Sequence, residues 1–201
     1  MKRLHITAEG QTEETFVNQT LKQHLARFGV YADVRCVLTS RKRYKEFRGG
    51  MTNYAKAKED ILRWLKEEQG NADVAFTTMF DYYALPEDFP GHEDALHERD
   101  SYEKVAAIEK ALAEDINDCR FIPYIQLHEF EALLFADPKK FEIEYFDKPE
   151  GIEQLCKIAS EFENPELINQ GRETAPSKRI VKIYSDYEGN KPAVGSMIAH
   201  E

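Results

Sequence analysis

Four carboxylates stand where strand-like segments end: Glu9 after Arg3 to Ala8, Asp81 after Ala72 to Phe80, and Glu129 with Glu131 after Arg120 to Leu127. In parallel sheets covered by helices, ligands gather outside the carboxyl ends of the strands, where loops and helix N-termini converge. Oxygen donors at such a rim suit a hard divalent cation. Magnesium needs one or two protein carboxylates and completes its shell with water and substrate phosphate, so Glu9, Asp81, Glu129 and Glu131 are a chemically sufficient set for magnesium or manganese. Any one of these acids alone reads more plainly as an N-cap or a solvated loop residue. Their agreement in position favours a shared site.

Other residues could grip a phosphate. Gly10 lets the chain turn tightly before a helix whose first amides suit an anion. Glu13 would repel that anion and reads as a cap or supporting residue. Pro176-Ser177-Lys178-Arg179 opens a helix from which Lys178 and Arg179 could reach a phosphate, although a solvated face carrying Lys182 as well is an equal reading. Arg41, Lys42, Arg43, Lys45 and Arg48 are crowded together with Tyr44 and Phe47 between them. Arg41 and Arg43 are thus further phosphate candidates, set against the plainer reading of a solvated loop. His128, three residues before Glu131, shares its face on a helix and is a candidate substrate contact. Tyr82 and Tyr83 beside Asp81 could stack on a base or sugar, or cover the edge of the core.

Several chemistries lack their motifs. Position 132 is Ala where a zincin has its second His, and His92 and His97 have the wrong spacing. There is no G-x-x-x-x-G-K-[ST], G-x-S-x-G or G-x-G-x-x-G, which removes motif-based claims for a Walker ATPase, an α/β-hydrolase or a Rossmann site.

Periodicity outlines the elements that must carry these residues. A strand over Arg3 to Ala8 is followed by a helix capped by Thr12 and ended by Gly29. Val30 to Leu38 reads as a strand, Tyr54 to Gln69 as a helix, and Ala72 to Phe80, nearly all apolar or β-branched, as a central strand. A helix from Ser101 to Ile116, a strand from Arg120 to Leu127 and a helix opening at His128-Glu129 complete the alternation. The expected fold class is α/β, with a mainly parallel sheet flanked by helices. Residues 1–136 form the α/β core and 137–201 a helical portion packed on it, with helices near Gly151 to Phe162 and Ser177 to Tyr187, all within one domain. Ala199-His200-Glu201 shows no helix stop, which predicts a truncated C-terminal element.

Composition bounds the partners. The chain has 201 residues, 42% hydrophobic and 32% charged, enough for one substantial core. No run suggests a membrane span or a signal peptide, so a cytoplasmic location is expected. Cys36, Cys119 and Cys156 read as buried thiols. A formal charge of -10 disfavours broad attraction to nucleic acid or anionic lipid, without excluding local phosphate binding.

Four segments in order, EGQTEE, DYYALP, HEFEALLF and APSKRI, resemble a bacterial family of Toprim-like proteins, often encoded beside ATPases in mobile or defence-type loci. The resemblance spans Arg3 to Gly195. It implies a Toprim-like fold related to the nuclease domains of OLD-type proteins, with Glu9 as acid/base residue and Asp81 as a magnesium ligand. Position 83 is Tyr where the second Asp of the Toprim Asp-x-Asp stands. Either Glu129 or Glu131 replaces it, or the site holds metal more weakly, or catalysis is lost.

The leading expectation is a magnesium-dependent phosphoryl-transfer enzyme, a nuclease working with an ATPase partner in phage defence or a mobile element. Glu9, Asp81 and Glu129 would be catalytic, and Lys178 or Arg179 would steady phosphate. Nucleic acid, an ATPase and a second copy of the chain are the partners considered. The rivals are a non-catalytic binding module and an enzyme acting on nucleotides or small phosphorylated metabolites.

Overall fold

The computed structural model describes residues 2–42, 45–48, 51, 53–169 and 172–200, with side chains described for all of these except 38–42, 45–48 and 172. Arg43 and the side chain of Arg41, both phosphate candidates, therefore lie outside the described residues.

β1 (Lys2–Ala8) leads into α1 (Gln11–Phe16), which continues through a π-helical turn, Val17–Leu21, into α2 (Lys22–Ala26). The N-cap is Gly10 rather than Thr12, because the Glu13 carboxylate accepts the Gly10 N–H at 2.9 Å, the half of a capping box that is open to a glycine. Gly29, at φ 72°, turns the chain into β2 (Val30–Cys36). The basic run expected as a loop lies instead in an antiparallel hairpin of β3 (Leu38–Lys42) and β4 (Lys45–Arg48). Asn53 caps α3 (Tyr54–Glu67) by accepting the Lys56 N–H, and β5 (Val74–Asp81) follows. α4 (His92–His97) precedes α5 (Ser101–Ile116), whose cap Asp100 accepts two backbone N–H groups. β6 is only Ile125–Gln126, and HEFEALLF forms a 3-10 turn, Phe130–Ala136, rather than an α-helix. α6 (Glu142–Tyr145), α7 (Pro149–Ser160), α8 (Pro176–Ile183) and α9 (Tyr187–His200) complete the described chain. The helix expected over Ser177 to Tyr187 is thus two helices broken at Tyr184, whose ring stacks on Tyr145 at 3.8 Å.

The fold is α/β. Four parallel strands in the order β2-β1-β5-β6 are flanked by helices. Alternation along the inner strands feeds two apolar layers. Val74, Phe76 and Phe80 pack with Ile61 and Trp64 of α3 and Ile108 and Leu112 of α5. Ile6 and Met79 pack on the other face with Phe130, Tyr187 and Ile198.

The expected strand over Arg120 to Leu127 is mostly irregular, and Pro123 explains why. Phe121 bridges Phe76, and Ile122 donates its N–H to the Phe76 carbonyl at 2.8 Å. Pro123 then has no N–H to continue the ladder. The Thr78 hydroxyl fills the gap, accepting the Tyr124 N–H at 2.9 Å and donating to the Tyr124 carbonyl at 2.8 Å. Among the described residues, no helix is long and apolar enough to cross a membrane.

Candidate functional site

Register brings the two principal acids to one rim. Ala8 lies opposite Met79 in the β1–β5 pair, so Glu9 and Asp81 leave the sheet at the same end. They touch there: the Asp81 N–H donates to Glu9 Oε2 at 3.3 Å. The chain leaving β6 delivers Glu129 and Glu131 to the same rim, and α1 adds Glu13. The charges of these acids reach one another, Glu13, Glu9 and Glu131 acting on Asp81, and Glu13 and Glu129 on Glu9.

Each acid is held differently. Burial, then the charges of Glu13, Glu9 and Glu131, drive the Asp81 carboxyl well above the usual range, against a favourable Phe130 N–H. Asp81 Oδ1 is sealed from solvent and has no hydrogen-bond partner among the described residues. Burial also pushes Glu9 up to about 7, helped by Glu13 and opposed by the Asp81 N–H. Glu13 is raised chiefly by burial. Glu129 Oε2 accepts the Ser177 N–H at 3.0 Å, which ties the β6 exit to the start of α8. Glu131 is buried and raised, and Lys191 of α9 offsets it from 3.2 Å while the Tyr187 hydroxyl lies at 3.5 Å.

A cleft of about 440 Å³ opens beside this rim, lined by Asp81, Tyr83, Ala84, Glu129 and Lys178. Lys178 is exposed and therefore brings a positive charge to the same opening as two of the acids. A second cavity of about 450 Å³, lined by apolar groups including Leu4, Ile6, Phe16 and Met79, carries no carboxylate among the described residues.

The remaining candidates sit elsewhere or are engaged. Arg179 donates from Nε to the Thr174 carbonyl at 2.7 Å and lies over the Phe162 ring at 5.5 Å, so it braces α8 away from the cleft. The Gly10 N–H is occupied by the Glu13 carboxylate and is not free to bind a phosphate. His128, buried and at φ 65°, is depressed to about 4 by burial, against the raising charge of Glu129, so at neutral pH it offers a phosphate no cation. Its ring lies 4.9 Å from that of Tyr83.

The sequence presents Glu13 as a cap or supporting residue, and it accepts the Gly10 N–H while its charge also acts on Asp81. Lys191 and Tyr187 were not singled out. A lone Lys or Tyr in a helix has no local signature, and only the packing of α9 against α1 and Phe130–Ala136 brings them in.

The donor set is compatible with a hard divalent cation. All five acids offer oxygen, and the partnerless Asp81 Oδ1 is a buried acceptor that a cation would satisfy. Among the described residues, no three His, Cys, Asp or Glu side chains already stand in a metal-holding arrangement. Magnesium, which keeps several waters, does not require one.

The profile of a domain of unknown function, DUF4276, matches residues 8–201. No curated protein matches the chain. The solved C-terminal region of the Xanthomonas campestris pv. campestris OLD protein is similar with a TM-score of 0.42 and 14% identity, over 99% of this chain and 85% of that one. A likeness at that level assigns no chemistry.

Proposed function

The chain belongs to the DUF4276 family, and from the site just described we propose that it is a divalent-metal-dependent phosphoryl-transfer enzyme that cleaves phosphodiester bonds. One observation carries this reading: acids from separate segments meet at the carboxyl ends of the inner strands, against a cleft that also holds Lys178. Asp81 and Glu129 would hold magnesium or manganese, with Glu9 and Glu131 beside them. A bound divalent ion supplies positive charge that lowers the pKa of water and neutralises phosphate oxygens.

The chain's own groups supply the rest. Glu9, which touches Asp81 through the Asp81 backbone N–H at the rim, would be the group placed to take or give a proton beside the ion. Lys178 meets phosphate at the cleft mouth by charge and hydrogen bonding. Glu13, bonded to the Gly10 N–H, fixes the turn that carries Glu9. A Toprim-like nuclease acting with an ATPase, in a defence or mobile-element setting, is the finer form of the proposal, and it rests on the four sequence motifs.

A non-catalytic binding module is the second reading, favoured by Tyr83 at the position of a second Asp and by the Lys191–Glu131 ion pair within the cluster. A magnesium titration separates them. The wild-type chain is expected to gain thermal stability and release heat at millimolar magnesium, and to cleave a labelled oligonucleotide. Asp81→Asn should lose all three responses. No stabilisation of the wild type by magnesium or manganese would overturn the enzymatic reading.

A further inference from the structure

We propose that Tyr83 is a platform on which the base of an unpaired nucleotide stacks while its phosphate meets Lys178 and the divalent ion that the acids would hold. The substrate class is then single-stranded nucleic acid or a free nucleotide, and not intact duplex. This inference deepens the phosphodiester reading and rests on it.

Tyr83 is 38% exposed and lines the same cleft as Asp81, Glu129 and Lys178. Its ring is braced: His128 lies at 4.9 Å with 35° between the planes, and Tyr82 lies at 5.9 Å. The Tyr83 N–H donates to the His128 carbonyl at 3.2 Å, which fixes the two backbones together. His128 holds this place with φ 65°, a conformation that disfavours any residue with a β-carbon. A tyrosine held in this way loses little freedom when another flat ring settles on it.

The opening therefore presents phosphate-directed charge and an aromatic surface together. A nucleotide is the phosphate ester whose other end offers a flat π face, and stacking on an aromatic side chain tolerates any base. The cleft volume, about 440 Å³, is within the range of small-ligand sites. A base inside a duplex has both faces covered by its neighbours, so it must be unpaired or extruded to reach such a ring.

Calorimetry on the full chain with magnesium tests this, using deoxyadenosine monophosphate against deoxyribose phosphate, which lacks the base. The wild type is expected to prefer the base-bearing ligand by roughly 5- to 100-fold. Tyr83→Phe keeps that preference, and Tyr83→Leu, of similar bulk without a π face, abolishes it. A short single-stranded oligonucleotide that binds more tightly than the mononucleotide assigns a strand as substrate, and equal affinity assigns the free nucleotide. The proposal is overturned by equal binding of the two small ligands, by a preference that survives in Tyr83→Leu, by a blunt hairpin duplex binding as tightly as the single strand, or by no binding of any nucleotide. A magnesium-induced stabilisation without base preference would remove the platform and leave the metal reading standing; its absence removes that reading itself.

Discussion

Glu9→Gln should stabilise the metal-free protein, and the gain should depend on pH. Burial and the charge of Glu13 raise the Glu9 pKa from 4.5 to about 7, against the Asp81 N–H that favours its anion. At about 1.4 kcal/mol for each pH unit between the folded and unfolded values, ionised Glu9 costs the fold about 3 kcal/mol. The stability associated with its protonated form is fully present below pH 4.5 and is lost as pH rises through 7. Asp81, Glu13 and Glu131 are raised as well and act in the same direction. His128 opposes them: its pKa is depressed from 6.5 to about 4, so its contribution is present above 6.5 and lost as pH falls toward 4. His5, also depressed by burial, has the same sign as His128. Because these slopes oppose one another in the acid range, the informative quantity is the difference between variant and wild type. Gln retains an oxygen to accept the Asp81 N–H. Urea unfolding without divalent metal should give equal stabilities near pH 4.5 and a variant about 3 kcal/mol more stable at pH 8. A difference that does not change with pH, or a variant less stable at pH 8, would refute the electrostatic account of the site.

Lys178→Ala should weaken oligonucleotide binding about tenfold and flatten its salt dependence, while the stabilisation by magnesium stays at the wild-type level; calorimetry at two salt concentrations reads both. Lys191→Met should destabilise the chain at pH 8 by about 1–3 kcal/mol, because the buried Glu131 loses its counter-charge. In a double-mutant cycle, most of that loss should vanish when Glu131→Gln is also present. Gly151→Ala should cost about 1–3 kcal/mol in urea melts without altering the response to magnesium, since its β-carbon would meet the Tyr184 hydroxyl at 2.5 Å and Ile183 Cγ2 at 2.7 Å.

What could be read from the sequence followed strong periodicity. The β-branched run before Asp81 and the amphipathic spacing around Ile61 and Trp64, and around Ile108 and Leu112, specify inner strand and covering helices because each pattern buries only one way. Glu9 and Asp81 could be paired in advance because parallel strands put their carboxyl ends at one rim. Elements decided by single side-chain bonds could not. The strand that Pro123 interrupts is held by the Thr78 hydroxyl, and the helix starts earlier than Thr12 suggests, with Gly10 as its N-cap, because Glu13 reaches back to Gly10. Arg179 and Lys178 are neighbours in sequence with equal claims on phosphate, and only the Thr174 carbonyl and the Phe162 ring divert one of them. His128 carries no sign in the sequence that its backbone is left-handed.

The order in which the acids and their counter-charge occur along the chain bears on biosynthesis. Glu9, Glu13, Asp81, Glu129 and Glu131 are all translated before Lys191. A nascent chain thus accumulates a knot of mutually repelling acids with its compensating ammonium still to come. The layer built on α3 and α5 draws on residues no later than Leu167 and can consolidate first, whereas the face that closes over the acids waits for Val194 and Ile198. The acid cluster, in this order of events, gains its cover and its counter-charge only when α9 is in place.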